Sequence, residues 1–212
     1  TVVEPTSNGI GGDAFALVWD GARLHGLNGS GRAPAALTPD RVRQDGYSAM
    51  PTRGWLPVTV PGAPAAWFDL HQRFGRLRFA ALFEPAISYA DQGFPISPVL
   101  GHYWARAHQA YQTQTEPMFR GWHETFAPNG RPPAVGELWA SRGHARTLSQ
   151  IAETNAADFY RGEIAQAIAR FAAQTGGLLT EADLARHSSS WIEPIRARYH
   201  GYDVWEMPPN DQ

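Results

Sequence analysis

Ser30 and Arg32 stand two apart in the run Asn28-Gly29-Ser30-Gly31-Arg32-Ala33-Pro34, a glycine-rich turn whose only strong charge is Arg32. A guanidinium held on such a turn presents a planar fork of N–H donors that can pair bidentately with a substrate carboxylate. The same fork could instead hold the turn together through an internal ion pair. Upstream, Val2-Val3-Glu4-Pro5-Thr6-Ser7-Asn8-Gly9-Ile10-Gly11-Gly12-Asp13-Ala14-Phe15 brings three glycines into four positions ahead of a short apolar run. Taken alone, Gly11 and Gly12 resemble a phosphate cradle, but no Lys-Ser/Thr follows and the glycines enter a strand. They read as a tight turn.

The remaining polar residues give weaker patterns. His102 and His108 are six apart, His123 and His144 stand alone, and neither H-x-x-x-H nor H-E-x-x-H occurs among the eight histidines. They read as surface or hydrogen-bonded side chains, with no metal site and no cofactor implied. Glu181 and Asp183 sit beside Thr180 as the start of a short helix. Trp67, Trp104 and Trp205 fall on core-facing patterns, which favours packing over a sugar-binding platform.

Composition narrows the classes further. The 212 residues are 43% apolar, enough for one ordinary domain, and the net charge is −2. All 18 basic residues are arginine and they are scattered, so phosphate neutralisation along a nucleic acid has no support. No apolar run approaches the roughly 20 residues of a membrane helix, and the start carries no charged-then-apolar signal pattern. The chain has no cysteine, which removes disulfides, thiol catalysis and thiolate metal sites without assigning a compartment.

The elements that must position Ser30 and Arg32 follow from pattern and punctuation. Strands are expected over residues 14–19 and 23–27, then a short helix over 38–44 with Thr38 as its cap and Pro39 in its first turn. A loop spans 45–57, and Val58-Thr59-Val60 is a short β-branched run ending at Pro61-Gly62. Trp67, Leu70 and Phe74 give helical spacing from Ala63 to a stop at Gly75. A second helix runs from about Phe79 to Gly93, with Pro85 imposing a kink or a late start. Residues 97–115 read as a surface helix and 119–136 as an aromatic- and proline-rich connection. Helical pattern resumes at about His144. Asn155 or Asp158 caps a further helix with Phe159, Ile164, Ile168 and Phe171 on one side, stopping at Gly176-Gly177. Strands over 195–199 and 203–207 close the chain around His200-Gly201. Strands, then many helices, then strands suit an α+β or layered αββα domain.

With these elements in order, the sequence resembles the large subunit of the γ-glutamyltranspeptidase family along its whole length. The resemblance is carried by the Val2 to Phe15 run, Glu84-Pro85-Ala86, Ala90-Asp91-Gln92-Gly93-Phe94, Phe159-Tyr160-Arg161-Gly162, Gly176-Gly177-Leu178-Leu179-Thr180, Asp183-Leu184-Ala185, Tyr199-His200-Gly201-Tyr202 and Met207-Pro208-Pro209. It implies an N-terminal-nucleophile (Ntn) hydrolase: an αββα four-layer sandwich, with residues 1–212 a single-domain large-subunit portion that is incomplete without the small subunit of the same precursor. It further implies self-cleavage, and attack by the small subunit's new N-terminal threonine on a γ-glutamyl amide such as that of glutathione. The acyl-enzyme then passes to water or to an amine acceptor. On this pattern no catalytic residue lies in residues 1–212, and Thr1 corresponds to an interior position rather than to the nucleophile. Anchored on Ala33-Pro34, the family's substrate-binding arginine falls on Ser30, while Arg32 occupies a position where the true transpeptidases do not usually carry one. Ser30 and Arg32 are thus the candidate substrate-binding pair: either Arg32 substitutes, or the site takes a different acyl group. The alternatives are a family relative with acylase or amidohydrolase specificity, a non-catalytic binding module that keeps the fold, and a nucleotide-binding domain contacting phosphate at residues 9–12.

Overall fold

In the computed structural model, which describes residues 1–210, the chain opens with a hairpin of β1 (Phe15–Trp19) and β2 (Leu24–Asn28). Its turn is closed by the Asp20 carboxylate, which accepts from the amides of Ala22 and Arg23 at 2.8 and 2.9 Å. Helix α1 (Pro39–Gln44) is capped by Thr38, whose hydroxyl accepts from the Arg41 amide. Residues 58–60 form no ladder. Their Val60 amide instead donates to the Arg32 carbonyl at 3.0 Å, so the β-branched run lies along the second glycine turn. Helix α2 (Ala63–Phe74) ends at Gly75. Pro85 delays the next helix as its chemistry requires: a 3-10 turn over Phe79–Leu82 precedes α3 (Glu84–Gln92), which places Pro85 in the first turn, where its missing N–H costs nothing.

The two-residue strand β3 (Phe94–Pro95) leads into α4 (Pro98–Tyr111), capped by Ser97. Part of the expected connection is helical, as α5 (Arg120–Phe126), before β4 (Leu138–Trp139) pairs with β3. Helix α6 (Arg142–Glu153) follows. The helix expected after Asn155 is two helices, α7 (Ala157–Arg161) and α8 (Glu163–Thr175), divided at Gly162. Asp158 makes the break, because its carboxylate accepts from the amides of Glu163 and Ile164 at 2.9 and 3.1 Å and so caps α8 from the preceding turn. Helix α9 (Glu181–Ala185) precedes β5 (Ser190–Ile192), β6 (Ile195–Tyr199) and β7 (Tyr202–Glu206). The three-residue β5 was not expected from the sequence. It completes an antiparallel sheet in the order β1-β2-β5.

One aromatic cluster anchors the helical layer. Trp104 of α4 is fully buried, as its core-facing pattern predicts, although the helix as a whole reads as a surface element. Its indole donates to the Phe126 carbonyl at 2.8 Å, and its ring meets Trp139 edge-on at 5.1 Å. Trp67 is partly buried against Phe83. Trp205 departs from the core-facing expectation and is 42% exposed. The register of the β6–β7 hairpin explains why: Arg196 faces Trp205, and the guanidinium covers the indole at 5.5 Å. The opposite face carries Ile195, Ala197, Tyr199, Tyr202 and Val204, with Glu206 opposite Ile195 at its edge, all exposed. The hairpin is therefore amphipathic, with its apolar face open to solvent.

Asp183 ties the end of the helical layer to the segment that follows the second glycine turn. Its carboxylate closes a capping box with Thr180, accepts from the Ala35 amide at 3.0 Å and pairs with Arg186 at 2.6 Å. Burial raises its pKa, but the Thr180 hydroxyl, the two amides and Arg186 outweigh that effect and hold it below the usual carboxylate value. Its contribution is therefore present above the unfolded carboxylate pKa of about 3.9 and is lost as pH falls through the lower folded value. Asp183→Ala removes a cap and strands the Ala35 N–H, and should cost about 2–3 kcal/mol at neutral pH. In thermal melts the gap from the parent protein should narrow toward pH 2, where the parent loses the same interaction.

Candidate functional site

The second glycine turn is built by close backbone approach. The Gly29 amide donates to the Ala14 carbonyl at 2.8 Å, the Gly31 amide to Asp13 Oδ1 at 3.0 Å, and the Gly62 and Ala63 amides both donate to the Gly12 carbonyl at 3.0 Å. A Cβ on Gly31 would fall on the Val60 carbonyl, and one on Gly62 on the Gly29 carbonyl. One on Gly29 would lie 2.5 Å from the Ala66 methyl. The first turn is different. A Cβ at Gly9 or Gly11 meets nothing within 4 Å, one at Gly12 makes only an ordinary contact at 3.5 Å, and none of the three has a positive φ. The tight turn expected there is present, closed by the Gly12 amide donating to the Gly9 carbonyl at 3.2 Å, but its geometry does not require glycine. Close approach is required one hairpin later.

Ser30 is half-buried, and both its amide and its hydroxyl donate to Asn28 Oδ1, at 2.9 and 2.7 Å. Asn210, remote in sequence, reaches the same turn: its Oδ1 lies 3.2 Å from Ser30 Oγ and 3.0 Å from Asn28 Nδ2. Arg32 is exposed, and among the described residues it forms no ion pair. The internal ion pair open to it on sequence grounds has no counterpart here.

His187 is a further member of this region that its sequence context did not mark. Its ring stacks on Tyr160 at 5.1 Å and abuts Gly62, and its Nε2 is buried without a hydrogen-bond partner among the described residues. Burial lowers its pKa, Asp13 and Asp69 pull it back up, and Arg32 pushes it down, so three charges converge on one imidazole. Tyr160 is fixed in turn: its hydroxyl donates to the Pro61 carbonyl at 2.8 Å and accepts from the Ala65 amide at 3.1 Å, while burial raises its pKa well above the ordinary phenol value. Position gave the only sequence signal for the two missed residues. His187 follows Asp183-Leu184-Ala185 and Asn210 follows Met207-Pro208-Pro209, both stretches of the family pattern.

Two cavities lie away from Ser30 and Arg32. One, of about 1190 Å³, opens between α3 and α6. The other, of about 710 Å³, is mainly apolar, lined by Trp55, Phe159, Ile164 and Ile168 with Ile10 and Gly11 at its border. Thr1 lies at neither substrate candidate's hydroxyl or guanidinium; its amine donates to Asn8 Oδ1.

All 212 residues match the model of the gamma-glutamyltranspeptidase family. The chain belongs to that family. It is 34% identical over 218 residues to the glutathione hydrolase-like YwrD proenzyme of Bacillus subtilis (strain 168), an alignment covering 100% of this chain and 39% of that protein. Among solved structures it superposes on a cephalosporin acylase from Bacillus halodurans with a TM-score of 0.96 and 54% identity, covering 99% of this chain and 40% of that one. The γ-glutamyltranspeptidase from Pseudomonas nitroreducens, solved with L-DON, gives a TM-score of 0.86 at 29% identity over 98% of this chain and 60% of that one. The residues described here thus form a mixed helix-and-sheet structure of the γ-glutamyltranspeptidase type, and the chain spans about two-fifths of the length of YwrD.

Proposed function

We propose that this chain is the large-subunit portion of a γ-glutamyltranspeptidase-like Ntn hydrolase that cleaves an amide with an acyl group other than, or in addition to, γ-glutamyl. The observation that carries this reading is the second glycine turn: Ser30 stands at the position to which the resemblance assigns the family's arginine, and the Arg32 guanidinium has no ion-pair partner among the described residues. Family membership supplies the reaction class. A threonine outside residues 1–212 attacks the amide carbonyl and its own α-amine takes the hydroxyl proton. The C–N bond then breaks, the amine departs with that proton, and the acyl ester passes to water or to a second amine. Residues 1–212 contribute substrate contact through Ser30 and Arg32, with no cofactor or metal in the reaction.

The small subunit of the same precursor completes an αββα four-layer sandwich over the β-structure seen here. The apolar face of the β6–β7 hairpin supports this, since five exposed apolar positions on one face need a cover. The proenzyme name of YwrD is in keeping with a precursor that is processed.

The test uses the full-length precursor. It should cleave itself into two bands on a gel, and the processed protein should turn over simple acyl p-nitroanilides faster than γ-glutamyl-p-nitroanilide. Arg32→Ala should lower kcat/KM for carboxylate-bearing substrates by about 10- to 100-fold, the range expected for loss of a charge-assisted hydrogen bond. Robust γ-glutamyl turnover that disappears in Arg32→Ala would return the site to γ-glutamyl recognition. A precursor that never cleaves itself would leave the fold as a binding module.

A further inference from the structure

We infer that Asn28, Ser30 and Asn210 form a neutral recognition cluster that selects an acyl group ending in an uncharged carboxamide rather than a carboxylate. This inference rests on the substrate-facing role proposed above for Ser30 and adds to it a substrate class and two residues.

The donors and acceptors left free around the cluster match a carboxamide. The backbone amide of Ser30 can only donate, so its 2.9 Å contact fixes the oxygen of the Asn28 side chain toward Ser30 and turns the Asn28 nitrogen toward Asn210. That nitrogen can only donate, which makes the Asn210 atom it meets at 3.0 Å an oxygen. The hydroxyl of Ser30 has one hydrogen to share between Asn28 Oδ1 at 2.7 Å and Asn210 Oδ1 at 3.2 Å. What remains uncommitted among the described residues is one N–H on Asn28, both N–H groups on Asn210 and the lone pairs of Ser30 Oγ. A surplus of donors next to one acceptor complements a carboxamide, whose oxygen takes the donors and whose N–H meets Ser30. A carboxylate seated on the trio would bring a charge that these three neutral groups cannot neutralise and an oxygen where Ser30 offers lone pairs, so the Arg32 contact to carboxylate-bearing acyl groups proposed above is an alternative seat at the same turn and the weaker of the two.

The fold supplies the means of holding Asn210 there. Met207 is buried, with its sulfur 3.1 Å from where a Cβ on Gly26 would stand, so the end of β7 is seated against the middle of β2. The following residues then run toward the Ser30 turn. An arginine at position 30 would carry its guanidinium into the space the two asparagine side chains share. The neutral trio is therefore a coordinated alternative to the family's arginine rather than a simple loss of it.

The full-length processed protein is assayed with three matched p-nitroanilides: 4-carbamoylbutanoyl, glutaryl and pentanoyl. The carbamoyl substrate should exceed glutaryl by about tenfold or more in kcat/KM, the scale on which a site built for a hydrogen-bonding group rejects its mismatch. Asn210→Ala should lower the carbamoyl-to-pentanoyl ratio about tenfold, Asn210→Asp should not restore it, and Ser30→Arg should shift preference to glutaryl. Calorimetric titration with glutaramic acid and with pentanoic acid gives a readout independent of turnover. Selective glutaramic acid binding lost in Asn210→Ala upholds the cluster even if no anilide is cleaved, and in that case the hydrolase reading falls alone. Self-cleavage and anilide turnover with unchanged ratios in both Asn210 variants, or a parent preference for glutaryl, overturn the cluster and leave the hydrolase reading standing.

Discussion

Gly31→Ala is expected to lower stability by about 3 kcal/mol, whereas Gly11→Ala, in the turn that looks more constrained in sequence, should change it by less than about 0.5 kcal/mol. The difference lies in what a methyl group would meet. At Gly31 it would coincide with the Val60 carbonyl, which is held in place because the neighbouring Val60 amide donates to Arg32. Neither backbone can retreat without breaking that bond or the 3.0 Å bond from the Gly31 amide to Asp13. At Gly11 the methyl group meets nothing within 4 Å. For a chain of this size each kcal/mol moves Tm by roughly 2–4 °C, so Gly31→Ala should melt about 6–12 °C lower and Gly11→Ala within a degree or two. Because the displaced segment carries Ser30 and Arg32, any folded Gly31→Ala protein should also show altered acyl-group preference. Equal effects at the two glycines would refute the close-approach account.

That contrast also marks how far local sequence reaches. Caps and breakers act within a few residues, so Thr38, Pro85, Gly75, Gly93 and the Thr180–Asp183 box all act as their chemistry predicts. The β6–β7 hairpin follows from its alternation and the His200-Gly201 turn. What local pattern could not supply were features decided by distant partners. Residues 58–60 have strand-like composition, yet the backbone beside them is a glycine turn. Strand β5 is three residues whose pairing depends on β2 lying alongside. Asp158 is positioned to cap one helix but serves the next. Of the candidate site, Ser30 and Arg32 could be proposed from sequence because they sit in one short motif. Asn210 joins Ser30 across 180 residues of sequence and His187 joins through Tyr160 and Gly62, contacts that exist only once the chain is folded.

The largest effect expected from a single side chain is at Trp104, where replacement by alanine should cost about 3–5 kcal/mol. The residue is fully buried, so the truncation leaves a cavity the size of an indole between α4 and the β3–β4 ribbon. Two further losses accompany the cavity. The Phe126 carbonyl at the end of α5 loses its donor, and the edge-on contact with Trp139 disappears. Trp139 belongs to β4, which pairs with Phe94 of β3, so the loss should spread along the ribbon rather than stay in α4. Trp104→Phe separates the contributions: it refills much of the volume and restores an aromatic edge but leaves the carbonyl unpaired, and should cost about 1–3 kcal/mol. Thermal melts of the two variants should therefore rank alanine below phenylalanine and both below the parent. Trp104 shares no hydrogen bond or ring contact with the Ser30 turn, so the folded fraction of Trp104→Phe should keep the parent's ratio among the acyl substrates. A change in that ratio would mean that the aromatic cluster and the Ser30 turn are coupled through the core, an outcome that independent sites would not produce.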